Sequence, residues 1–440
     1  MNSRSLIIPL FICSVVLAGC LETEEYVDGK VVVKFASLGN PQEVETINES
    51  IAAFEEKHPD IHVKFIHAVE NYDQLLLTMM ATNRGPDVFT ISPPFLPGYI
   101  SRGLLMNIQK RIETSDQIVL DEIFPQTLEP YRFDGKKFGV GDLYGLTKDW
   151  SPDRVIFYNK TLFDEAGIPH PDGSWTRAEF VEIAKKLTKR DDQGRTIQFG
   201  VYNNCEPQQW VRQSGGSFFS ADGRRCTLDT PAAKAGLQFA ADLSLKHRVA
   251  PNIAEAQQAA DYVMFETGRV AMCFYGMWFV PEFKKRIKEF EWGVVTPPRD
   301  ENDVYLSLGM VGYAMNARSK NPDEAWLFFE HMAGRWGQMH RANLGWNLPS
   351  NQMVANGEQF RENPDLDRTI IDVFLDAVPK TEFVGLNPYI EPEEFNLYFS
   401  PQWDMVLLGD KSVEDAVERI VRDVNRAIED NIALKGGAGI

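Results

Sequence analysis

Between Val31 and Ile91 the residue pattern changes period four times, and that alternation constrains the fold more than any other feature. Val31-Val32-Val33-Lys34-Phe35-Ala36 is rich in β-branched residues and is broken by Ser37-Leu38-Gly39-Asn40-Pro41, as a buried strand running into a turn would be. Val44, Ile47, Ile51 and Phe54 then recur at helical spacing until His58-Pro59-Asp60 stops them. A strand over 61–66 follows, then a helix opened by Asn71 with Tyr72, Leu75, Leu76, Met79 and Met80 on one side. Gly85-Pro86-Asp87 and a strand over 88–91 complete the run. The order β-α-β-α-β predicts a parallel sheet covered by helices, with a binding crevice at the carboxyl ends of its strands.

Helix starts are also marked further on. Thr176-Arg177-Ala178-Glu179 has capping-box spacing, with Trp175 and Phe180 placed as a hydrophobic staple. Thr230-Pro231 and Asn321-Pro322-Asp323-Glu324 each set a capping residue before a proline at the first helical position. Val417, Ile420, Val421, Val424 and Ile428 after Ser412 form an amphipathic pattern that predicts a final helix. With 440 residues the chain is long enough for two or three domains, each with its own core.

The N-terminus reads as a processing segment rather than as fold. Arg4 precedes the apolar run from Leu6 to Ala18, 13 residues against the roughly 20 of a membrane-spanning helix. The run ends in Leu17-Ala18-Gly19-Cys20, which looks like a bacterial lipobox. Residues 1–19 are therefore expected to be a signal peptide, Cys20 the lipidated first residue of the mature chain, and 20–29 a tether. The formal charge is −18, from 63 acidic and 45 basic residues, and loss of Arg4 makes the chain one unit more acidic. That charge repels phosphate backbones and excludes a general nucleic-acid binder.

Several blocks, in order, resemble the family 1 extracellular solute-binding proteins of ABC importers, the group that contains maltose-binding protein. They are Phe54-Glu55-Glu56-Lys57-His58-Pro59-Asp60-Ile61, Gly85-Pro86-Asp87-Val88, Phe157-Tyr158-Asn159-Lys160 with Ala166-Gly167-Ile168-Pro169, and Ser174-Trp175-Thr176. Gln213-Ser214-Gly215-Gly216, Gly268-Arg269-Val270-Ala271-Met272 through Trp278, and Leu344-Gly345-Trp346-Asn347-Leu348-Pro349 continue the series. The resemblance implies an α/β, two-lobed periplasmic-binding-protein fold of type II with the ligand cleft between the lobes. Residues 27–150 plus 296–318 would form the N-terminal lobe and 151–295 plus 319–440 the C-terminal lobe. It further implies an exported, membrane-tethered monomer that binds a mono- or oligosaccharide and hands it to an ABC permease, with no catalysis and no cofactor.

A sugar cleft needs flat apolar faces beside planar polar groups. By the resemblance, the ligand-binding residues would be Asn40, Glu43, Phe95, Asp149, Trp150, Glu206, Trp210, Tyr275, Trp278, Trp346 and Asn347. The family's polar residues after the third strand are here Ser92-Pro93-Pro94-Phe95, which carry no charge.

Two other classes were open to a chain of this composition. A secreted carbohydrate-active hydrolase would also combine aromatics with carboxylates, but there is no Gly-x-Ser-x-Gly elbow, no His-Glu-x-x-His and no P-loop, and Gly139-Val140-Gly141-Asp142-Leu143-Tyr144-Gly145 misses the dinucleotide spacing by one. A metal-binding lipoprotein would draw on His58, His62 and His67. Pro59 keeps the first two from aligning on a helix, and in an extended strand 62 and 67 face opposite sides. No metal ligands are therefore assigned. Of the mature thiols, Cys205 and Cys226 enclose a turn-containing segment and form a candidate disulfide pair, while Cys273, amid Ala271, Met272 and Phe274, reads as a buried free thiol.

Overall fold

A computed structural model describes residues 26–68, 71–300, 306–364, 366–383 and 386–437. The signal-peptide segment and Cys20 lie outside the described residues. The alternation at the start of the chain folds as expected: β1 (Lys30–Ser37), α1 (Pro41–Lys57), β2 (Ile61–His67), α2 (Tyr72–Ala81) and β3 (Val88–Ile91). β1 pairs in parallel with β2 from Val31 to Ser37, and with β3 through Phe35 and Ala36. Asn71 does not cap α2; it sits at φ 54° with no side-chain cap bond, and Leu75, expected inside, is 42% exposed.

β4 (Leu146–Asp153) and β5 (Val155–Asn159) are separated by Arg154 alone, held at φ 68°. Here the chain passes from the first sheet into a second one. In the second lobe, Thr176 and Glu179 make the anticipated capping box of α3 (Arg177–Leu187), and Trp175 meets Phe180 edge-on at 5.5 Å. α4 (Pro207–Gln213) and α5 (Pro231–Leu245) follow, the latter capped by Thr230. β6 (Met272–Tyr275) and β7 (Trp292–Val295) flank β5 in an antiparallel three-stranded sheet. β8 (Leu306–Met315) then recrosses. Its distal half lies antiparallel between β3 and β4, and its proximal half continues along β4 as far as the pair Ser307 and Asp153. The first sheet is therefore mixed rather than wholly parallel, because this returning strand is inserted beside β3.

The chain leaves β8 at the far end of the first sheet, where the Asn316 N–H donates to Asp87 O, and only six residues separate that strand from α6 (Pro322–Ala333). So short a link obliges α6 to pack where it emerges. Phe328 contacts Phe35 and Phe54 edge-on at 5.2 and 5.1 Å, and Trp326, Phe329 and Met332 join the same core. This corrects the expectation that everything from 319 onward belongs to the C-terminal lobe. α7 (Arg335–Ala342) follows, and α8 (Pro392–Leu407) packs with α9 (Val413–Gly437) against α5 in a helical core of the second lobe. Among the described residues no helix is long and apolar enough to cross a membrane.

Candidate functional site

The carboxyl end of β1 delivers the chain to α1, whose first turn is fixed by a reciprocal cap. The Asn40 N–H donates to Glu43 Oε2 and the Glu43 N–H to Asn40 Oδ1, each at 3.1 Å. The other oxygen of Glu43 accepts from Lys148 Nζ at 2.9 Å, and Lys148 also lies 3.3 Å from Asp149 Oδ2. The Lys148 side chain is 5% exposed. An unpaired ammonium at such depth would lose its proton. Desolvation pulls the Lys148 pKa down, but Asp149 and Glu43 outweigh it and hold it above the ordinary value. Burial likewise pushes the Glu43 carboxyl up, and the Lys148 charge and hydrogen bond, with the Asn40 N–H, bring it below the usual range.

α7 and the segment after it complete the surroundings. Asn347 Nδ2 donates to Asp149 Oδ1 at 3.2 Å, and Arg341 donates to the Tyr313 hydroxyl at 3.0 Å and to Lys148 O at 3.1 Å. Gln338 donates to the carbonyls of Thr147 and Lys148 and accepts from Ser350 N–H, tying α7 to β4. These residues enclose a cavity whose lining includes Glu43, Lys148, Asp149, Arg341, Trp346 and Asn347. Its charges are matched internally. Among these residues Asn347 Oδ1 and Arg341 Nε are buried without a protein partner.

A second group lies where β4 enters the other lobe. Asp153 accepts from the Arg154 backbone N–H at 2.7 Å and lies 3.3 Å from its Nε, while Arg154 Nη2 donates to the exposed Glu206 at 3.1 Å. Burial dominates at Asp153, and with Glu206 nearby it outweighs the Arg154 charge, raising its pKa to about 6. Trp278, half-buried, rests beside Gly309 of β8 and Asp153, and the Met277 N–H donates to Ser151 Oγ at 2.9 Å, fixing this loop on β4.

The structure thus brings Glu43, Asp149, Trp346 and Asn347 around one cavity, with Asn40 positioning Glu43, and gathers Glu206 and Trp278 farther along the same crossing strand. Phe95 is half-buried against the first-lobe core and does not line the cavity. Three aromatics leave the site. Trp150 is fully buried against Phe124 at 5.2 Å with its Nε1 donating to Pro349 O, because the residue next to Asp149 on a strand faces the opposite side. Trp210 is fully buried among Phe180, Phe239 and Phe274. Tyr275 is 4% exposed and lies over Phe279. The Cys205–Cys226 bridge is also corrected: all three described thiols are free and buried. Cys205 belongs to the core under α3, whereas α4 carries the chain away to a separate core holding Cys226. Burial pushes the Cys226 thiol up to about 11.

Lys148, Asp153, Arg154, Gln338 and Arg341 had not been singled out. For the first three a signal existed: charges at 148, 149, 153 and 154 interrupt a stretch that otherwise reads as buried strand. For Gln338 and Arg341, on a polar helix, there was none.

Among the described residues no group of three or more His, Cys, Asp or Glu side chains is placed to hold a metal ion. An arabinooligosaccharide-binding protein of Halalkalibacterium halodurans is 23% identical over 367 residues, covering 79% of each chain. A multiple sugar-binding protein of Streptococcus mutans is 22% identical over 72% of this chain and 75% of its own. Among solved structures, an ABC substrate-binding protein from Listeria monocytogenes in complex with cycloalternan superposes with TM-score 0.79 at 22% identity, covering 91% of this chain and 99% of that one. The sugar-binding protein MalE of Xanthomonas citri does so with TM-score 0.77 at 20% identity, covering 92% and 99%. These relatives are binding proteins, and they share the two-lobed fold. The model of the bacterial extracellular solute-binding protein family matches residues 40–339, both crossing strands and the whole three-stranded sheet included, and the chain belongs to that family.

Proposed function

We propose that this protein is the substrate-binding subunit of an ABC importer, that its ligand is a mono- or oligosaccharide, and that it passes that ligand to a membrane permease without transforming it. The observation that carries the reading is the cavity at the crossing strands. A half-buried indole, Trp346, stands beside two planar polar groups, the amide of Asn347 and the guanidinium of Arg341, whose Oδ1 and Nε have no protein partner. An apolar face with a few convergent polar atoms suits the alternating C–H and hydroxyl surfaces of a sugar ring. The relatives that bind sugars support the same choice. Trp278, beside Gly309 and Asp153, supplies a second stacking face. The lobes meet again where Glu391 lies 3.9 Å from Arg102, and ligand contacts to both lobes would favour the closed arrangement that a permease reads. The protein works at the cell envelope as a monomer, held to the membrane by acyl chains on Cys20.

Thermal shift with arabino- and malto-oligosaccharides, followed by calorimetry, tests this. A melting temperature that rises with sugar concentration is expected. Stabilisation by divalent metal alone, or turnover of a glycoside, would replace the reading with the metal-binding or hydrolase class. Cys20→Ser should move the protein to the soluble fraction; retention on carbonate-washed membranes would refute the anchor.

A further inference from the structure

Trp278 sits in a slot made by two glycines far apart in sequence. A Cβ on Gly276 would lie 2.2 Å from Cζ3 and 2.3 Å from Cη2 of the indole, and a Cβ on Gly309 would lie 2.5 Å from Cη2 and 2.6 Å from Cζ3. Non-bonded carbons do not approach so closely. Neither glycine is among the thirteen described glycines at positive φ, so backbone conformation does not demand glycine at either place. What excludes a side chain is the ring itself. A rigid indole has no flexible end that could give way, so an added methyl has to tilt or expel the whole ring. The two glycines have different owners. Gly276 belongs to the second-lobe loop that carries the tryptophan, whereas Gly309 lies within β8, paired with Ser151 of β4, on the strands that join the lobes. The Cβ of Asp153 closes the slot beside Gly309, 3.3 Å from the place a Gly309 methyl would take.

We infer that Gly276 and Gly309 are positioning residues that set the angle at which Trp278 presents its free face to the ligand, Gly309 doing so from a crossing strand. The inference rests on the reading of Trp278 as a stacking face. In that role the ring has to lie parallel to a sugar within a few tenths of an ångström, because stacking contacts decay steeply with separation.

A double-mutant cycle in the full chain tests it, with arabinotriose and maltotriose as the probe saccharides. Gly309→Ala, Trp278→Ala and the double variant are compared by calorimetry, by ligand-free urea melts and by the near-ultraviolet circular dichroism of the indole. Gly309→Ala should weaken binding about tenfold and alter the indole signal. In the Trp278→Ala background, where the methyl enters vacated space, it should add less than a twofold loss. Equal losses in both backgrounds, or normal binding by Gly309→Ala while Trp278→Ala binds weakly, overturn the slot and leave the stacking role standing. Normal binding by Trp278→Ala overturns the stacking reading and this inference with it. If Gly309→Ala alone fails to fold, recovery of folding in the double variant supports the slot, and failure in both overturns it.

Discussion

The two ends of β4 bury charge in opposite ways. At Lys148 and Asp149 one ammonium meets two carboxylates, an asparagine amide completes the second of them, and both Lys148 and Glu43 are held more firmly in their charged forms than in water. At Asp153 and Arg154, five residues on, the buried carboxylate shares its guanidinium with Glu206, and its pKa rises to about 6. Depth is similar at the two ends. The number of hydrogen bonds and opposite charges per buried group decides whether a low-dielectric site reinforces ionisation or opposes it.

Three substitutions sharpen or break that contrast. Lys148→Met should destabilise most, by about 3–5 kcal/mol, since it strands two carboxylates below the surface. A urea melt in which this variant loses less than about 1 kcal/mol would mean that water already reaches the pair. Asp153→Asn should act less and only through pH. The folded chain keeps a proton on Asp153 up to about pH 6, whereas the unfolded chain releases it near 3.8. The stability this group contributes is therefore complete below the lower value and lost as pH rises through the upper one. Between pH 4 and 7 the stability of Asp153→Asn relative to the unmodified protein should improve by up to about 3 kcal/mol. A constant difference across that range would place Asp153 with the well-paired end after all. Trp346→Ala, at the well-paired end but half-buried, should leave the melt almost unchanged and weaken sugar binding roughly 5- to 30-fold, about 1–2 kcal/mol of lost stacking. Early unfolding with normal affinity would assign Trp346 to packing.

Much of the scaffold was legible because it depends on local pattern. Strand and helix periods over 31–91, the capping box at Thr176, and the proline-marked start of α6 involve residues within a few positions of one another. The site was legible only in part. Glu43, Asp149, Trp346 and Asn347 do converge, while Trp150, Trp210 and Tyr275 went to cores, since an aromatic beside a polar residue in a loop-like stretch reads the same whether it lines a cavity or plugs one. The second of two neighbours on a strand always faces away from the first, so naming both Asp149 and Trp150 could not be right for a single cavity.

By itself the sequence determined the order of elements, where many of them begin, and membership in a two-lobed family, all consequences of short-range periodicity and of blocks kept in order. Tertiary structure alone decided which face of β4 looks into the cavity, because that depends on its register with β8, including the irregularity between Val311 and Gly312. It also decided that α6 returns to the first lobe, that Cys205 and Cys226 belong to separate cores, and that Lys148 meets Glu43 from 105 positions away. Each of these is a contact between segments distant in the chain, and its free energy exists only once the strands between them have paired.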